Sequence, residues 1–240
     1  MIVLFTDFGP SGPYTGQMEA VLKQMAPKVP VIHLLDDAPT GNPRLSSYLL
    51  AALRYSFPRG AVFLTVVDPG VGGERKPIVL NTDGQYFVGP ENGLLNTVAV
   101  QSKQTTWQEI AWRPADCSMS FHGRDLFAPI AASLATGLSE DMLKPMVQTG
   151  LEEWPADLKE IIYFDHYGNA MTGLRYVPEM AGKQLIVNGV KTDQADTFSS
   201  VSEGRAFWYC NSSGLVEIAV NQGSAREKLA LTLGTVIKFN

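Results

Sequence analysis

The sequence predicts an α/β fold, in which a three-layer N-terminal domain with a mostly parallel sheet precedes a smaller all-β barrel or sandwich. In the first part of the chain, apolar strand-like runs alternate with segments of helical periodicity. From Glu160 onward the hydrophobic period is short and close to two, which is typical of strands. We therefore predict domains over 1–150 and 160–240, joined by a linker over 150–159.

Local patterns predict the elements of the N-terminal domain in turn. Runs of β-branched and aliphatic residues predict strands at 2–5, 31–35 and 61–67. The Asp83-Gly84 pair predicts a hairpin within 77–89. Apolar residues at helical spacing, the second set opened by Pro43, predict helices at 14–25, 43–56, 93–100 and 124–135.

Six short segments with strand-like alternation follow in the C-terminal region, and Asn188-Gly189 within the third indicates a hairpin turn. The segments are EIIYFD, NAMTGLR, QLIVNGVKT, AFWYCN, LVEIAVN and TVIKFN.

Composition narrows the classes of function. The chain has 240 residues, of which 45% are hydrophobic, and a net charge of -5. It has no Lys/Arg run typical of nucleic-acid binding, and no apolar run of the ~18 residues that a membrane span needs. Cys117 and Cys210 fit neither a disulfide framework nor a metal site, and the N-terminus reads as a strand rather than a signal peptide. We expect a cytoplasmic protein that acts on a small molecule.

The most informative segment is AVFLTVVDPGVGGER, at 61–75. An apolar strand stops at Asp68, and a glycine-rich loop then leads to Arg75. Ligands collect where strands end in α/β folds, so an acid and a base arrive together at that edge. The alternative is a surface ion pair worth about 0 to 1 kcal/mol. We favour a functional pair, because other segments place polar residues at strand ends in the same way.

Three of these segments lie in the N-terminal domain. Asp7, after the first strand, could bridge two ribose hydroxyls or cap a turn. Asn92 lies in PENG, which is more typical of a turn or a helix cap. His122 begins the last helix, where the positive helix end favours a neutral imidazole, and Gly123 permits close approach of a ligand. A packing role is the alternative for this histidine.

Two polar segments of the C-terminal domain complement each other. Asp165 and Asn169 follow one predicted strand, and Ser212 and Ser213 follow another. Hairpin turns would explain both. However, serine hydroxyls with exposed backbone N–H groups can hold a carboxylate, and Asp165 could hold an ammonium group. Together they meet the needs of an amino-acid zwitterion.

Several common sites are not supported. Arg75 occupies the position of the third glycine of GxGxxG, and the sequences GxxxxGK[ST] and GxSxG are absent. No HxH or HxxxH spacing indicates a metal site. We expect neither a metal nor a cofactor.

Taken together, these segments resemble the S-adenosyl-L-methionine (SAM) hydroxide adenosyltransferase family, adenosine-forming SAM hydrolases that are related to SAM-dependent fluorinases and chlorinases. The resemblance covers nearly the whole chain. The motifs that carry it are TDFG (6–9), DPGVGGER (68–75), GPENGLL (89–95), FHGRDLFAP (121–129), FDHYGN (164–169) and NSSGLVEIAVNQGSA (211–225).

The resemblance implies roles for individual residues. Asp68, Arg75 and His122 match the Asp-Arg-His set that handles the attacking water, and Asp7 matches the acid that binds the ribose diol. The remaining residues expected to bind substrate are Phe8, Asn92, Gly123, Asp165, Asn169, Phe198, Ser212 and Ser213, with Phe198 near the adenine. The family is trimeric, so the resemblance also implies a homotrimer with each site between one subunit's N-terminal domain and a neighbour's C-terminal domain.

The chain departs from its relatives at some positions. It reads Thr40-Gly41-Asn42-Pro43 where relatives commonly have an aromatic residue or Asp. Halogenases lack the Asp-Arg-His set and carry Tyr or Thr in the first loop, so Asp68 and Val71 disfavour halogenation, although Gly123 resembles the chlorinase branch.

The expected reaction is in-line attack of water at the ribose C5′ of SAM, with methionine leaving as a neutral thioether. Arg75 would stabilise the developing hydroxide, His122 would accept or relay the proton, and Asp68 would orient the water. The alternatives are a halide-using SAM transferase, a non-catalytic binder of SAM or adenosine, and a nucleoside hydrolase.

Overall fold

The computed structural model describes residues 1–137, 140–147, 151 and 154–240. Contacts divide the chain into two compact units, Met1–Trp154 and Pro155–Asn240. The predicted linker over 150–159 includes residues 150, 152 and 153, which lie outside the described residues.

The N-terminal unit is built on a mixed sheet of seven strands within the described residues, in the order β2-β1-β3-β5-β4-β6-β7. These are β1 (Ile2–Thr6), β2 (Val31–Leu35), β3 (Val62–Val66), β4 (Pro77–Thr82), β5 (Gln85–Pro90), β6 (Thr105–Ile110) and β7 (Leu143–Met146). Strands β2, β1, β3 and β5 run parallel, whereas every pairing that involves β4 or β6 is antiparallel. The sheet is therefore mixed rather than mostly parallel, and the prediction is only partly confirmed.

Two features explain this difference. Asp83 and Gly84 have φ values of 50° and 84°, so they form the tight turn that makes β4 and β5 an antiparallel hairpin. Strands β6 and β7 then extend the antiparallel half, and the sequence analysis predicted neither of them. Strand β6 is rich in polar residues, and only Trp107 and Ile110 are buried in it. Strand β7 has only four residues, LKPM, and none of them is fully buried.

The parallel half of the sheet carries the apolar core. All five residues of β1 and of β3 are buried. Ile2 and Leu4 belong to one apolar cluster with residues of helices α1 (Tyr14–Met25) and α4 (Ala128–Thr136). Helices α2 (Pro43–Leu53) and α3 (Asn96–Val100) pack against each other. This packing fixes the carboxyl ends of β1 and β3, from which the loops bearing Asp7 and Asp68 emerge.

The C-terminal unit is a β-rich domain whose sheet nearly closes into a barrel. Its strands, in the described part of the chain, are β8 (Leu158–Phe164), β9 (Ala170–Arg175), β10 (Leu185–Val187), β11 (Val190–Gln194), β12 (Ala206–Cys210), β13 (Leu215–Val220) and β14 (Ile237–Phe239). The sheet order is β14-β10-β11-β12-β13-β9-β8, and a bridge between Glu160 and Val236 links its two edges. A short helix α5 (Ala225–Lys228) follows β13. The six predicted strand segments all lie on these strands, and the Asn188-Gly189 turn is confirmed as the β10–β11 hairpin.

Among the described residues, no helix combines the length and apolar character needed to traverse a bilayer.

Candidate active site

A buried ion pair joins Asp68 to Arg75 beyond the end of β3. The Nε of Arg75 donates a hydrogen bond to Oδ1 of Asp68 at 3.0 Å, and its Nη2 donates to Oδ2. The side chains of Arg75 and Asp68 are only 9% and 4% exposed. This is therefore a bidentate ion pair shielded from solvent, not the surface ion pair that was considered as the alternative.

The same arginine holds His122. Its Nη2 lies 2.9 Å from Nδ1 of His122. A guanidinium has donors only, so Nδ1 accepts and the neutral ring carries its hydrogen on Nε2. That Nε2 is buried and has no hydrogen-bond partner among the described residues. Burial, together with the charges of Arg75 and Arg113, lowers the pKa of His122, which favours the neutral ring at pH 7.

A widened helical turn presents His122. Residues Gly123–Phe127 form one π-helical turn between His122 and α4. Such turns recur at functional sites because they re-aim the side chains before them. A Cβ at Gly123 would lie 3.1 Å from Sδ of Met18 and 3.3 Å from the Phe121 ring, so the glycine also lets this turn pack closely.

A cavity of about 190 Å³ opens beside the pair. It is lined by Asp7, Phe8, Thr40, Gly41, Val66, Asp68, Pro69, Val71, Ser120, Phe121, His122 and Gly123. Five residues that the sequence analysis singled out in this domain therefore share one cavity: Asp7, Phe8, Asp68, His122 and Gly123. Arg75 contacts two of these residues, Asp68 and His122.

The loop 40–43, whose sequence differs from that of the relatives, holds the carboxylate of Asp7. Sequence reasoning missed this role. The backbone N–H of Gly41 donates to Oδ2 of Asp7 at 2.8 Å, and Asn42 caps α2 by accepting from the N–H of Leu45. Burial raises the pKa of Asp7, Asp68 adds to that rise, and the Gly41 hydrogen bond opposes it. The Gly-Asn-Pro sequence was the available signal, since it is typical of a turn into a helix.

The side chain of Asn92 forms hydrogen bonds to the backbone of two loops. Its Nδ2 donates to the carbonyl of Val67 at 2.9 Å, and its Oδ1 accepts from the N–H of Leu94. Asn92 therefore ties the end of β3 to the loop after β5, and it does not line the cavity just described.

A second cavity, of about 470 Å³, lies in the C-terminal domain. Three of the residues expected to bind substrate line it: Asp165, Asn169 and Phe198. Asp165 accepts from the backbone N–H groups of Tyr167 and Asn169 and from the side-chain Nδ2 of Asn169, at 2.8–2.9 Å. The Oδ1 of Asn169 is buried without a partner among the described residues, so it is an acceptor free to meet a donor.

Ser212 and Ser213 lie on the β12–β13 turn and do not line the second cavity. Asn211 shapes this turn, because its Oδ1 accepts from the N–H groups of Ser213 and Leu215 at 2.9 and 3.0 Å. Behind it, Nδ2 of Asn211 donates to the buried carboxylate of Glu217 at 2.7 Å. Sequence reasoning missed Glu217, although an acid within the apolar strand LVEIAV was a visible signal.

Two family models match this chain, one in each compact unit. The model of the SAM hydroxide adenosyltransferase N-terminal domain matches residues 2–144, and that of the C-terminal domain matches residues 159–238. The chain belongs to the SAM hydroxide adenosyltransferase family. An (R)-S-adenosyl-L-methionine hydrolase of this family from Thermus thermophilus is 36% identical over 99% of this chain and 98% of its own. A hydrolase of the same name from Salinispora arenicola is 34% identical over 97% and 95% of the two chains.

Solved structures place this family member in the same fold. A conserved protein from Thermotoga maritima is 32% identical and superposes with a TM-score of 0.91 over 100% of this chain and 99% of that one. A conserved protein from Thermus thermophilus is 36% identical, with a TM-score of 0.80 and the same coverage. A fluorinase from an Actinoplanes species is more distant, at 23% identity over 92% of this chain and 91% of its own.

Proposed function

We propose that this protein hydrolyses SAM to adenosine and L-methionine. The observation that carries the proposal is the buried Asp68–Arg75–His122 cluster on a cavity that Asp7 also lines. It joins an arrangement able to activate water to a carboxylate able to hold a ribose diol. Relatives at 31–36% identity over nearly the full chain are named (R)-S-adenosyl-L-methionine hydrolases, and we assign the same sulfonium epimer here.

The hydrogen-bonding pattern assigns different jobs to the three side chains. With Nδ1 occupied by Arg75, the neutral ring of His122 has no acceptor left, so its Nε2–H donates to the oxygen of the attacking water. The carboxylate of Asp68 is then the proton acceptor at the cavity wall, in place of His122, which the sequence analysis expected to accept or relay the proton. Arg75 holds both groups in place and stabilises the negative charge that develops on the oxygen.

The bond changes balance without a general acid. The water oxygen forms a bond to C5′ as the C5′–S bond breaks. The electron pair of the C5′–S bond stays on sulfur, so methionine leaves as a neutral thioether. The proton released from water passes to Asp68 and then to solvent. Because an anionic nucleophile meets a cationic sulfonium, charge is cancelled in the transition state, and a cavity with little water strengthens that attraction.

Residues of the two domains hold the ends of the substrate. Asp7 accepts hydrogen bonds from the ribose diol, and Phe8 packs beside it in the same cavity. In the C-terminal domain, Asp165, Asn169 and the Ser212–Ser213 turn contact the methionine end and the nucleoside, and Phe198 stacks near the adenine. The predicted absence of a cofactor and the cytoplasmic location remain predictions.

We further propose a homotrimer in which a neighbour's C-terminal domain completes each site. The cavity beside Asp68 holds about 190 Å³, less than the roughly 300–1,000 Å³ of typical ligand pockets. A closed ring of heterologous contacts is one way to supply the missing wall equally to every subunit. Light scattering on the purified protein measures the expected mass.

The deciding experiment is incubation with (R)-SAM followed by mass spectrometry. Adenosine and methionine in equal amounts are expected, with oxygen from H₂¹⁸O in the adenosine. A 5′-halo nucleoside formed in chloride would identify a transferase, and free adenine would indicate a nucleoside hydrolase. Tight SAM binding with no product over hours would refute the enzymatic assignment.

A further inference from the structure

The buried acid Glu217 lies where two parts of the C-terminal domain meet. It occupies the middle of β13 and is only 2% exposed. Its cross-strand neighbour on β12 is Tyr209, whose hydroxyl donates to Oε1 at 2.5 Å. Its other oxygen, Oε2, accepts from Nδ2 of Asn211 at 2.7 Å. A carboxylate is costly to bury unless both oxygens find donors, and here each oxygen has one.

One arm of this cluster fixes the β12–β13 turn. Because Nδ2 of Asn211 is held by Glu217, the Oδ1 of the same amide must face the turn, where it accepts from the N–H groups of Ser213 and Leu215. If the amide were reversed, its NH₂ would face those two donors. The carboxylate therefore sets the amide orientation on which the Ser212–Ser213 turn depends.

The other arm supports the wall of the second cavity. The Tyr209 ring lies 5.8 Å from the ring of Phe198, and Phe198 lines the cavity together with Asp165 and Asn169. Tyr209 also packs against Phe207, with ring centroids 5.6 Å apart. Anchoring the hydroxyl on Glu217 restricts where this ring can lie, and so where Phe198 can lie.

We propose that Glu217 is the positioning residue that orients both substrate-contacting parts of the C-terminal domain, the Ser212–Ser213 turn through Asn211 and Phe198 through Tyr209. This inference rests on the proposed function for the identity of the substrate. It goes beyond that function because Glu217 lines neither of the two cavities and acts through its two neighbours.

The test compares Glu217→Leu with Glu217→Gln. Leucine removes both acceptors at similar size, whereas glutamine can accept from Asn211 and donate to the oxygen of Tyr209. For Glu217→Leu we expect the KM for SAM to rise about tenfold with kcat within about threefold of the natural enzyme, and Glu217→Gln to restore most of that loss. An unchanged KM in Glu217→Leu, or a loss of kcat alone, would overturn the proposal.

Single-arm variants separate the two roles. Calorimetric titration with adenosine and with methionine should show that Tyr209→Phe weakens chiefly adenosine and Asn211→Ala chiefly methionine, with Glu217→Leu weakening both. These variants also serve if Glu217→Leu fails to fold. Equal weakening of both products by each single variant would contradict the two-arm arrangement.

A matched control and an activity-independent measurement complete the design. Thr192 is equally buried in the same domain and donates to the carbonyl of Leu185, so Thr192→Val should lower stability without changing KM. Amide hydrogen exchange should be faster at Ser213 and Leu215 in Glu217→Leu but not in Thr192→Val. Because exchange does not depend on turnover, it distinguishes failure of this inference from failure of the proposed function.

Discussion

The guanidinium of Arg75 donates to Nδ1 of His122 at 2.9 Å, which leaves the ring Nε2 as the atom that can face a substrate. The same guanidinium is paired to Asp68 through two further hydrogen bonds. The planar guanidinium therefore fixes the orientation of the Asp68 carboxylate and, at the same time, determines which ring nitrogen of His122 accepts a hydrogen bond.

Substituting either donor should slow the chemical step. For Arg75→Ala and His122→Ala we expect kcat to fall about 100- to 1,000-fold, since each removes stabilisation of charge on the attacking oxygen. The KM for SAM should change little. Initial rates of adenosine release at several SAM concentrations measure both kcat and KM. His33→Ala is the matched control, because His33 is half-exposed and pairs with Glu19 and Asp36 at the surface. Near-normal turnover in both variants would remove these residues from the mechanism.

The lowered pKa of His122 makes stability depend on pH. Folded His122 resists protonation because of burial and the charges of Arg75 and Arg113, whereas the unfolded chain takes up a proton below about pH 6.5. The unfolded state then binds more protons, so the free energy of unfolding should fall as pH drops from about 6.5 toward the folded pKa. Urea unfolding at several pH values should show this loss in the natural protein and a smaller loss in His122→Asn. Equal slopes would show that the histidine does not contribute.

Asp7 should discriminate ribose from sugars that lack hydroxyls. Asp7→Asn keeps the shape and an acceptor for the Gly41 N–H but removes the charge, so adenosine affinity should fall about tenfold or more. Binding of 2′,3′-dideoxyadenosine, which has no diol, should be equally weak in both proteins. Calorimetry of the four combinations tests this, and a parallel loss for both nucleosides would count against a contact to the diol.

In the C-terminal domain, loss of the acid should matter more than loss of the serine hydroxyl. Asp165→Ala frees the Asn169 side chain as well as removing a charge, so KM should rise about tenfold or more with kcat retained. Ser213→Ala keeps the backbone N–H that Asn211 holds, so its KM should rise only a few-fold. If methionine affinity is unchanged in both variants, the assignment of the methionine end is wrong.

If sites are shared between subunits, a variant impaired in the N-terminal half of the site should be complemented by one impaired in the C-terminal half. Co-expression of His122→Ala with Asp165→Ala in equal amounts should recover about a quarter of the natural activity at low SAM, because random mixing in a ring leaves that share of sites with both natural halves. Each variant alone should stay near its own baseline. No recovery on mixing would place both halves of a site in one subunit.

The sequence predicted which polar side chains lie together near Asp68 better than it predicted the strands. Asp68, Arg75 and His122 were predictable because each stands at a strand or helix end marked by glycine. Strands β6 and β7 were missed because neither shows the apolar run that indicated β1 and β3: β6 is mostly polar with two buried residues, and the four residues of β7 are exposed or half-buried. The antiparallel direction of β4 follows from the predicted hairpin, whereas the pairing of β4 with β6, which makes half of the sheet antiparallel, has no local signal.

Other parts of the site could not be predicted from local pattern. That Gly41 supports Asp7 depends on a contact between residues 34 positions apart, and that Arg75 reaches His122 depends on one of 47. The tautomer of His122 follows only from that second contact. Tertiary packing, rather than propensity, decides such features.

The π-helical turn at Gly123–Phe127 lets the direction of the His122 side chain differ from the one that a continuous α-helix through α4 would give it. A π-turn holds one residue more than an α-turn, so deleting a single position there would rotate everything upstream by about 100° relative to the core. The imidazole of His122 would then lose its hydrogen bond to Arg75, while α4 would keep its packing in the core. A change of chain length at this point, rather than replacement of a side chain, is thus the shortest route by which this scaffold could lose or regain the contact between Arg75 and His122.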